Sequence, residues 1–180
     1  GVSNPVLKVL NFSTGLIQTV NLDRVITQLK WSADDSKLFL TPQDHGAVPI
    51  ISYTISTQKF ETLTSMEDGV LGFDYNGSDF VYSKTCITNP SEIYIHSGGK
   101  ESQVSELNTA WLATKILSKA EKHVFTNAKG QVVDYWIMKP IGYLAGKKYP
   151  LVTEIHGGPT AMWGTGEASM WHEFQYYAAK

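Results

Sequence analysis

Cysteine occurs once in the 180 residues, at Cys86, so the chain can close no internal disulfide and offers no thiolate set to a structural metal. An excess of either charge is missing too. Fifteen Lys and Arg stand against 17 Asp and Glu, a net charge of −2, which leaves no basic field for nucleic acid. No apolar run approaches the roughly 20 residues that a membrane-spanning helix needs. Residues 1–5 carry no signal-peptide pattern. The expectations are therefore no nucleic-acid partner and no membrane partner; the compartment is left open, with the cytoplasm slightly favoured, and so is self-association. Metal-binding spacing is also wanting. His172-Glu173 would begin a zinc-binding His-Glu-x-x-His, but the second histidine is replaced by Tyr176, so neither a metal nor a cofactor is expected. His45, His96 and His123 stand singly in turns or strands and read as solvated. Finally, no Gly-x-Ser-x-Gly occurs, so these residues hold no nucleophile elbow.

What is present is an ordinary folding composition, 42% apolar and 18% charged, enough for one domain or parts of two. Over the first 110 residues or so, alternation and turn residues recur and helical periodicity is scarce, which predicts an all-β region. The region repeats itself. Trp31-Ser32-Ala33-Asp34-Asp35-Ser36-Lys37-Leu38-Phe39-Leu40 aligns with Phe73-Asp74-Tyr75-Asn76-Gly77-Ser78-Asp79-Phe80-Val81-Tyr82, and Tyr53-Thr54-Ile55 aligns with Tyr94-Ile95-His96. A period of about 41–42 residues with four strands per unit is that of a β-propeller blade, and Val9-Leu10-Asn11-Phe12 marks an earlier copy. Small sheets that cannot bury both faces alone stack on one another. Trp31 and Phe73 are expected to fill the gaps between blades, and Asp34-Asp35 and Asn76-Gly77 to make the hairpin turns. Asn11-Phe12-Ser13 and Asn76-Gly77-Ser78 match the glycosylation pattern but read as turns. A small β-sandwich is the alternative arrangement.

Residues 118–122 read as a polar connector, followed by a strand at 123–126, a turn closed by Gly130 and a strand ending at Lys139-Pro140. Residues 141–148 read as an exposed loop. Leu151, Val152 and Ile155 predict a short buried strand, on which Glu154 would need a partner. The strand ends in His156-Gly157-Gly158-Pro159. Glycine lets the backbone turn sharply and approach another molecule, and Pro159 has no N–H, so the Gly158 amide is the natural donor to aim at an anion. The bland alternative is a tight turn, with His156 an ordinary polar residue at a strand end. Met170, Phe174, Tyr177 and Ala178 predict one face of a closing helix, capped by Ser169 or Thr165.

Tyr149-Pro150 before the strand, His156-Gly157-Gly158-Pro159 after it and Trp171-His172-Glu173-Phe174 leading the helix together resemble the prolyl oligopeptidase family of serine peptidases. The acylaminoacyl-peptidase branch fits best, with a dipeptidyl-peptidase branch as alternative. Leu107-Asn108-Thr109-Ala110-Trp111-Leu112 resembles that family's exit from its propeller. The resemblance implies a mixed fold, with partial β-propeller blades over residues 1–112 followed by the first strands and helix of an α/β-hydrolase domain over 113–180. It implies that His156, Gly157, Gly158 and Pro159 form an oxyanion loop, that nucleophile, acid and base follow Lys180, and that the substrate is a short peptide. A propeller-based binding module with an incomplete hydrolase part is the other reading.

Overall fold

A computed structural model describes residues 4–158 and 161–180. It opens with a hairpin of β1 (Lys8–Leu10) and β2 (Ile17–Thr19). Next, β3 (Ile26–Trp31), β4 (Lys37–Pro42), β5 (Ile51–Thr54) and β6 (Lys59–Thr62) form a four-stranded antiparallel sheet in chain order. A second such sheet follows, built from β7 (Gly69–Tyr75), β8 (Phe80–Cys86), β9 (Asn89–Ser97) and β10 (Lys100–Gln103). Two four-stranded units preceded by a two-stranded remnant are consistent with propeller blades.

The turns form where the sequence put them, through short polar side chains that bind their own backbone. The Asp34 carboxylate accepts from the Ser32 and Ser36 hydroxyls and the Ser36 amide, with Asp35 at φ 56°. The Ser32 hydroxyl is the largest of the causes that hold Asp34 at a pKa of about 2. Asn76 accepts from the Ser78 and Asp79 amides, and Asn11 from those of Ser13 and Thr14, so both Asn-x-Ser triplets are turns.

Period-two alternation on β4 then decides the packing. Leu38 and Leu40 point to one side, into a cluster with Val20, Ile51 and Tyr53 that covers the β1–β2 hairpin. Phe39 points to the other, into a cluster with Ile50, Val70, Phe73, Phe80 and Tyr82 shared between the two large sheets. Phe39 meets Phe80 edge to face at 4.7 Å, a favourable aromatic geometry. Phe73 thus fills the gap between the two four-stranded sheets, as expected of it, but Trp31 does not: it is 44% exposed. Alternation is the reason. Gln28 and Lys30 turn toward β7, where the Gln28 amide bonds both the C=O (2.8 Å) and N–H (2.9 Å) of Phe73 and Lys30 pairs with Asp74. Trp31, one residue on, faces away.

Two buried charges are held by full coordination. Lys84 is enclosed by Asp68 (3.2 Å) and Glu101 (2.5 Å) and lies over the Tyr94 ring. Burial lowers its pKa, but the two carboxylates outweigh burial and raise it. Glu92, fully buried, accepts from the Ser105 hydroxyl and from the Leu107 (2.9 Å) and Asn108 (2.8 Å) amides, fastening the exit from the second sheet. Burial pushes its pKa up, and the Ser105 hydroxyl and the two amides bring it below the ordinary carboxylate range.

A short helix, α1 (Thr109–Leu112), leads to the hairpin β11 (Ala120–Thr126) and β12 (Val132–Met138), whose turn carries Gly130 at φ 79°. The polar connector is shorter than expected, because β11 begins at Ala120, and it is anchored at its start. Ser118 is buried, donating its hydroxyl to the Lys139 carbonyl and its amide to Gln175. The final helix, α2 (Trp171–Ala179), buries Trp171, Gln175 and Ala178, a face rotated from the expected stripe, and Tyr177 is 44% exposed. Polar docking sets this rotation: Trp171 donates to the Cys86 carbonyl (3.0 Å) and Gln175 to that of Ile87 (2.7 Å). Neither Ser169 nor Thr165 caps α2. Its N-cap is Met170, while Ser169 bonds Glu167 and Thr165 bonds the Glu67 carbonyl. Among the described residues, no helix is long and apolar enough to cross a membrane.

Phe80→Ala removes the ring at the centre of the inter-sheet cluster and should cost about 3–5 kcal/mol in urea unfolding. Glu92→Gln tests the buried carboxylate through pH. A depressed folded pKa stabilises above the unfolded value and is lost as pH falls through the folded one. The stability gap between wild type and Glu92→Gln is therefore full at neutral pH and narrows below the ordinary glutamate value of 4.5.

Candidate functional site

Beyond β12 the chain runs through turns at 141–148 and then extends over 151–157. This stretch is not the buried strand that its apolar residues predict. It has no regular secondary structure, and Leu151 (87%), Val152 (55%) and Ile155 (86%) are exposed. A strand needs a neighbour for its backbone groups. Among the described residues β11 and β12 pair only with each other, and 151–155 joins neither of their open edges. Glu154 is exposed as well and needs no partner.

The extended run ends at the glycine corner. Gly158 sits at φ 86°, a left-handed conformation that side chains resist, and its carbonyl accepts from the Ala161 amide at 3.2 Å. Gly157 is not in that region, so the sharp turn is made at Gly158. Open space surrounds Gly157, where an added Cβ would meet nothing within 4 Å. Among the described residues, neither the Gly157 nor the Gly158 amide donates to a protein acceptor. Pro159 lies outside the described residues. His156 is exposed, and its ring stacks on Trp163 with centroids 5.2 Å apart and planes 29° apart. Trp163 in turn contacts Phe174 of α2 at 6.4 Å. These aromatic contacts tie the corner to the helix. The signal missed in sequence was Trp163, which lies in a Gly-rich loop without periodicity.

His45 is not solitary either: its Nδ1 lies 2.6 Å from Asp134 on β12. No local pattern links residues 89 apart. A separate open cleft of about 470 Å³ lies between Pro90, Asn108, Trp111, Ser169, Trp171 and His172, and contains none of the corner residues. Among the described residues, no cluster of His, Cys, Asp or Glu could hold a metal.

The geometry defines stacked small antiparallel sheets joined to a hairpin, an exposed glycine corner and a docked helix. No family model matches the chain. Its sequence is 30% identical over 154 residues to the uncharacterized peptidase YuxL of Bacillus subtilis, covering 83% of this chain and 23% of that protein. It is 24% identical over 169 residues to dipeptidyl-peptidase 5 of Trichophyton equinum, covering 84% of this chain and 22% of that protein. Among solved structures, the Pyrococcus horikoshii acylaminoacyl peptidase matches with a TM-score of 0.73 at 23% identity, over 92% of this chain and 25% of that one. An acylaminoacyl peptidase in complex with Z-Gly-Gly-Phe-chloromethyl ketone matches with a TM-score of 0.75 at the same identity and coverage. The chain belongs to the prolyl oligopeptidase family of peptidases. It spans less than a quarter of the length of the curated relatives it matches.

If 151–155 is bare as described, Leu151→Lys changes the stability of the 180-residue chain by no more than about 0.5 kcal/mol. A loss of about 2–5 kcal/mol in thermal or urea unfolding, typical of a core leucine, would contradict the exposure.

Proposed function

We propose that the chain is a segment of a serine-type peptidase that hydrolyses short peptides by acyl transfer, with His156, Gly157, Gly158 and Pro159 as its oxyanion loop. The observation that carries this reading is the Gly158 corner: an exposed left-handed glycine whose amide has no acceptor among the described residues, just after an exposed apolar run. In the proposed reaction a serine oxygen attacks the scissile carbonyl carbon and the carbonyl oxygen becomes negative. The Gly158 N–H donates to that oxygen, a contribution of about 3 kcal/mol to transition-state stabilisation. His156 organises the loop rather than acting as base, because in this fold the base follows the nucleophile and acid along the chain. Nucleophile, acid and base belong to polypeptide after Lys180.

In the same reading, residues 1–112 are C-terminal blades of a propeller and 113–180 the start of an α/β-hydrolase domain. The bare apolar run at 151–155 supports this, since it is suited to a parallel sheet whose other strands come from elsewhere. The peptidase relatives support a peptide substrate, and so does the tripeptide chloromethyl ketone bound to an acylaminoacyl peptidase. The second reading is a propeller-based binding module with an incomplete hydrolase part.

Fluorophosphonate labelling separates the two. The 180-residue chain should remain unlabelled, and stoichiometric labelling would overturn the assignment of the nucleophile. A product extended along the reading frame through a Gly-x-Ser-x-Gly should label and cleave short peptide anilides. In it Gly158→Ala, which forces the amide out of the left-handed turn, should lower kcat about 100-fold with little change in KM. An unchanged kcat would remove Gly158 from the oxyanion role. A frame that stops without the motif would favour the binding module.

A further inference from the structure

Between β4 and β5 the chain forms a tight two-residue turn. Asp44 and Ala47 exchange both backbone hydrogen bonds at 2.9 Å, and the two residues between them, His45 (φ 49°) and Gly46 (φ 83°), are both left-handed. Two positive φ values are the signature of a type I′ turn, which favours glycine at the second position. The turn is braced from behind by Arg24, 2.5 Å from Asp44.

Its tip is gripped on two sides. On one side lies the β11–β12 hairpin: His45 Nδ1 meets Asp134 at 2.6 Å, Lys122 Nζ donates to the His45 carbonyl at 2.8 Å, and the Trp136 ring covers Gly46 so closely that a Cβ there would overlap it. On the other side lies the loop that follows the glycine corner. The Gly46 amide donates to Met162 Sδ at 3.2 Å, and the Gly46 carbonyl accepts from the Gly166 amide at 2.8 Å. Thr165 donates to the Glu67 carbonyl at 2.5 Å, just before β7.

Glycine is demanded here by closeness. Gly69, Gly164 and Gly166 are not left-handed. Yet a Cβ on Gly69 would overlap the Gly166 carbonyl, one on Gly164 would overlap the Gly46 backbone, and one on Gly166 would lie 2.8 Å from the Asp68 oxygen. Backbone lies on backbone along this seam, and a methyl group would open it.

The seam pins both neighbours of Trp163, namely Met162 and Gly164, and Trp163 is the residue on which His156 stacks. We propose that the His45-Gly46 turn is a positioning element for the glycine corner, a role that rests on the oxyanion reading above. By fixing Met162, Gly164 and Gly166 it fixes Trp163, which holds His156 and thereby sets the direction of the Gly158 amide two residues on. The blade aims the donor.

The test reads the His156 ring protons by NMR in the 180-residue chain. Stacked on an indole, they are shifted upfield, and Trp163→Leu defines their unstacked position. Gly164→Ala and Gly69→Ala should move the His156 signals to that unstacked position, with the β11–β12 amide signals unchanged. Gly72→Ala is the control, because its Cβ meets only Gln28 Oε1 at 3.8 Å on the same strand as Gly69, and it should leave His156 at its wild-type position. Should the seam variants not fold, Asp134→Asn, which weakens the contacts of this carboxylate with His45 and Lys122, should raise hydrogen exchange at amides 161–166. His156 signals that stay at the wild-type position in folded Gly164→Ala and Gly69→Ala, or exchange unaltered by Asp134→Asn, would overturn the proposal. Failure of the oxyanion reading would appear only in the kinetics of Gly158→Ala and would leave these spectra untouched.

Discussion

β4 is covered on both faces, and the rest of the molecule is arranged around that fact. Leu38 and Leu40 enter one apolar cluster while Phe39 enters another, so this strand belongs to two cores at once. A single four-stranded sheet cannot bury both of its faces, and stacking is the only remedy open to it. The Gln28 amide, bonded to both backbone groups of Phe73, locks the same stack through polar contacts. Because β4 is held on both sides, the turn at its far end is held too. That turn is where the blade meets the hairpin and loop downstream.

At the centre of the contact between the two halves, main chain lies directly on main chain. The Gly166 amide reaches the Gly46 carbonyl and Gly164 packs on the Gly46 backbone because none of the three carries a side chain. Around this bare seam stand long-range polar contacts, Trp171 to Cys86, Gln175 to Ile87 and His45 to Asp134, each satisfying a group that would otherwise be left unpaired. α2 is oriented by these bonds more than by its apolar stripe. The apolar run at 151–155 is the counter-example: it is paired with no strand and its hydrophobic residues remain open to water, since hydrophobicity alone supplies no hydrogen-bonding neighbour.

Much of the first half was legible from residue types alone. Turns at Asp34-Asp35 and Asn76-Gly77 rest on side chains bonding their own backbone, and the repeat of about 41–42 residues reflects one hydrogen-bonded unit copied. Both are local, and local chemistry is written in adjacent letters. Trp31 was misread because alternation on an edge strand is decided by which residues the neighbouring sheet engages, here Gln28 and Lys30. The face of α2 was misread for the same reason. At the corner, the sequence pointed to the glycines and to a free amide, but not to which glycine turns left-handed.

Composition, period and turn chemistry were thus settled by the chain itself, because each depends on residues within a few positions of one another or on a repeated pattern. Tertiary structure alone decided that His45 meets Asp134, that Trp163 holds His156, that 151–155 lies bare, and that Gly46, Gly69, Gly164 and Gly166 lie along one seam. Those contacts join residues that no short-range preference links, and only stacking of the sheets brings them within reach.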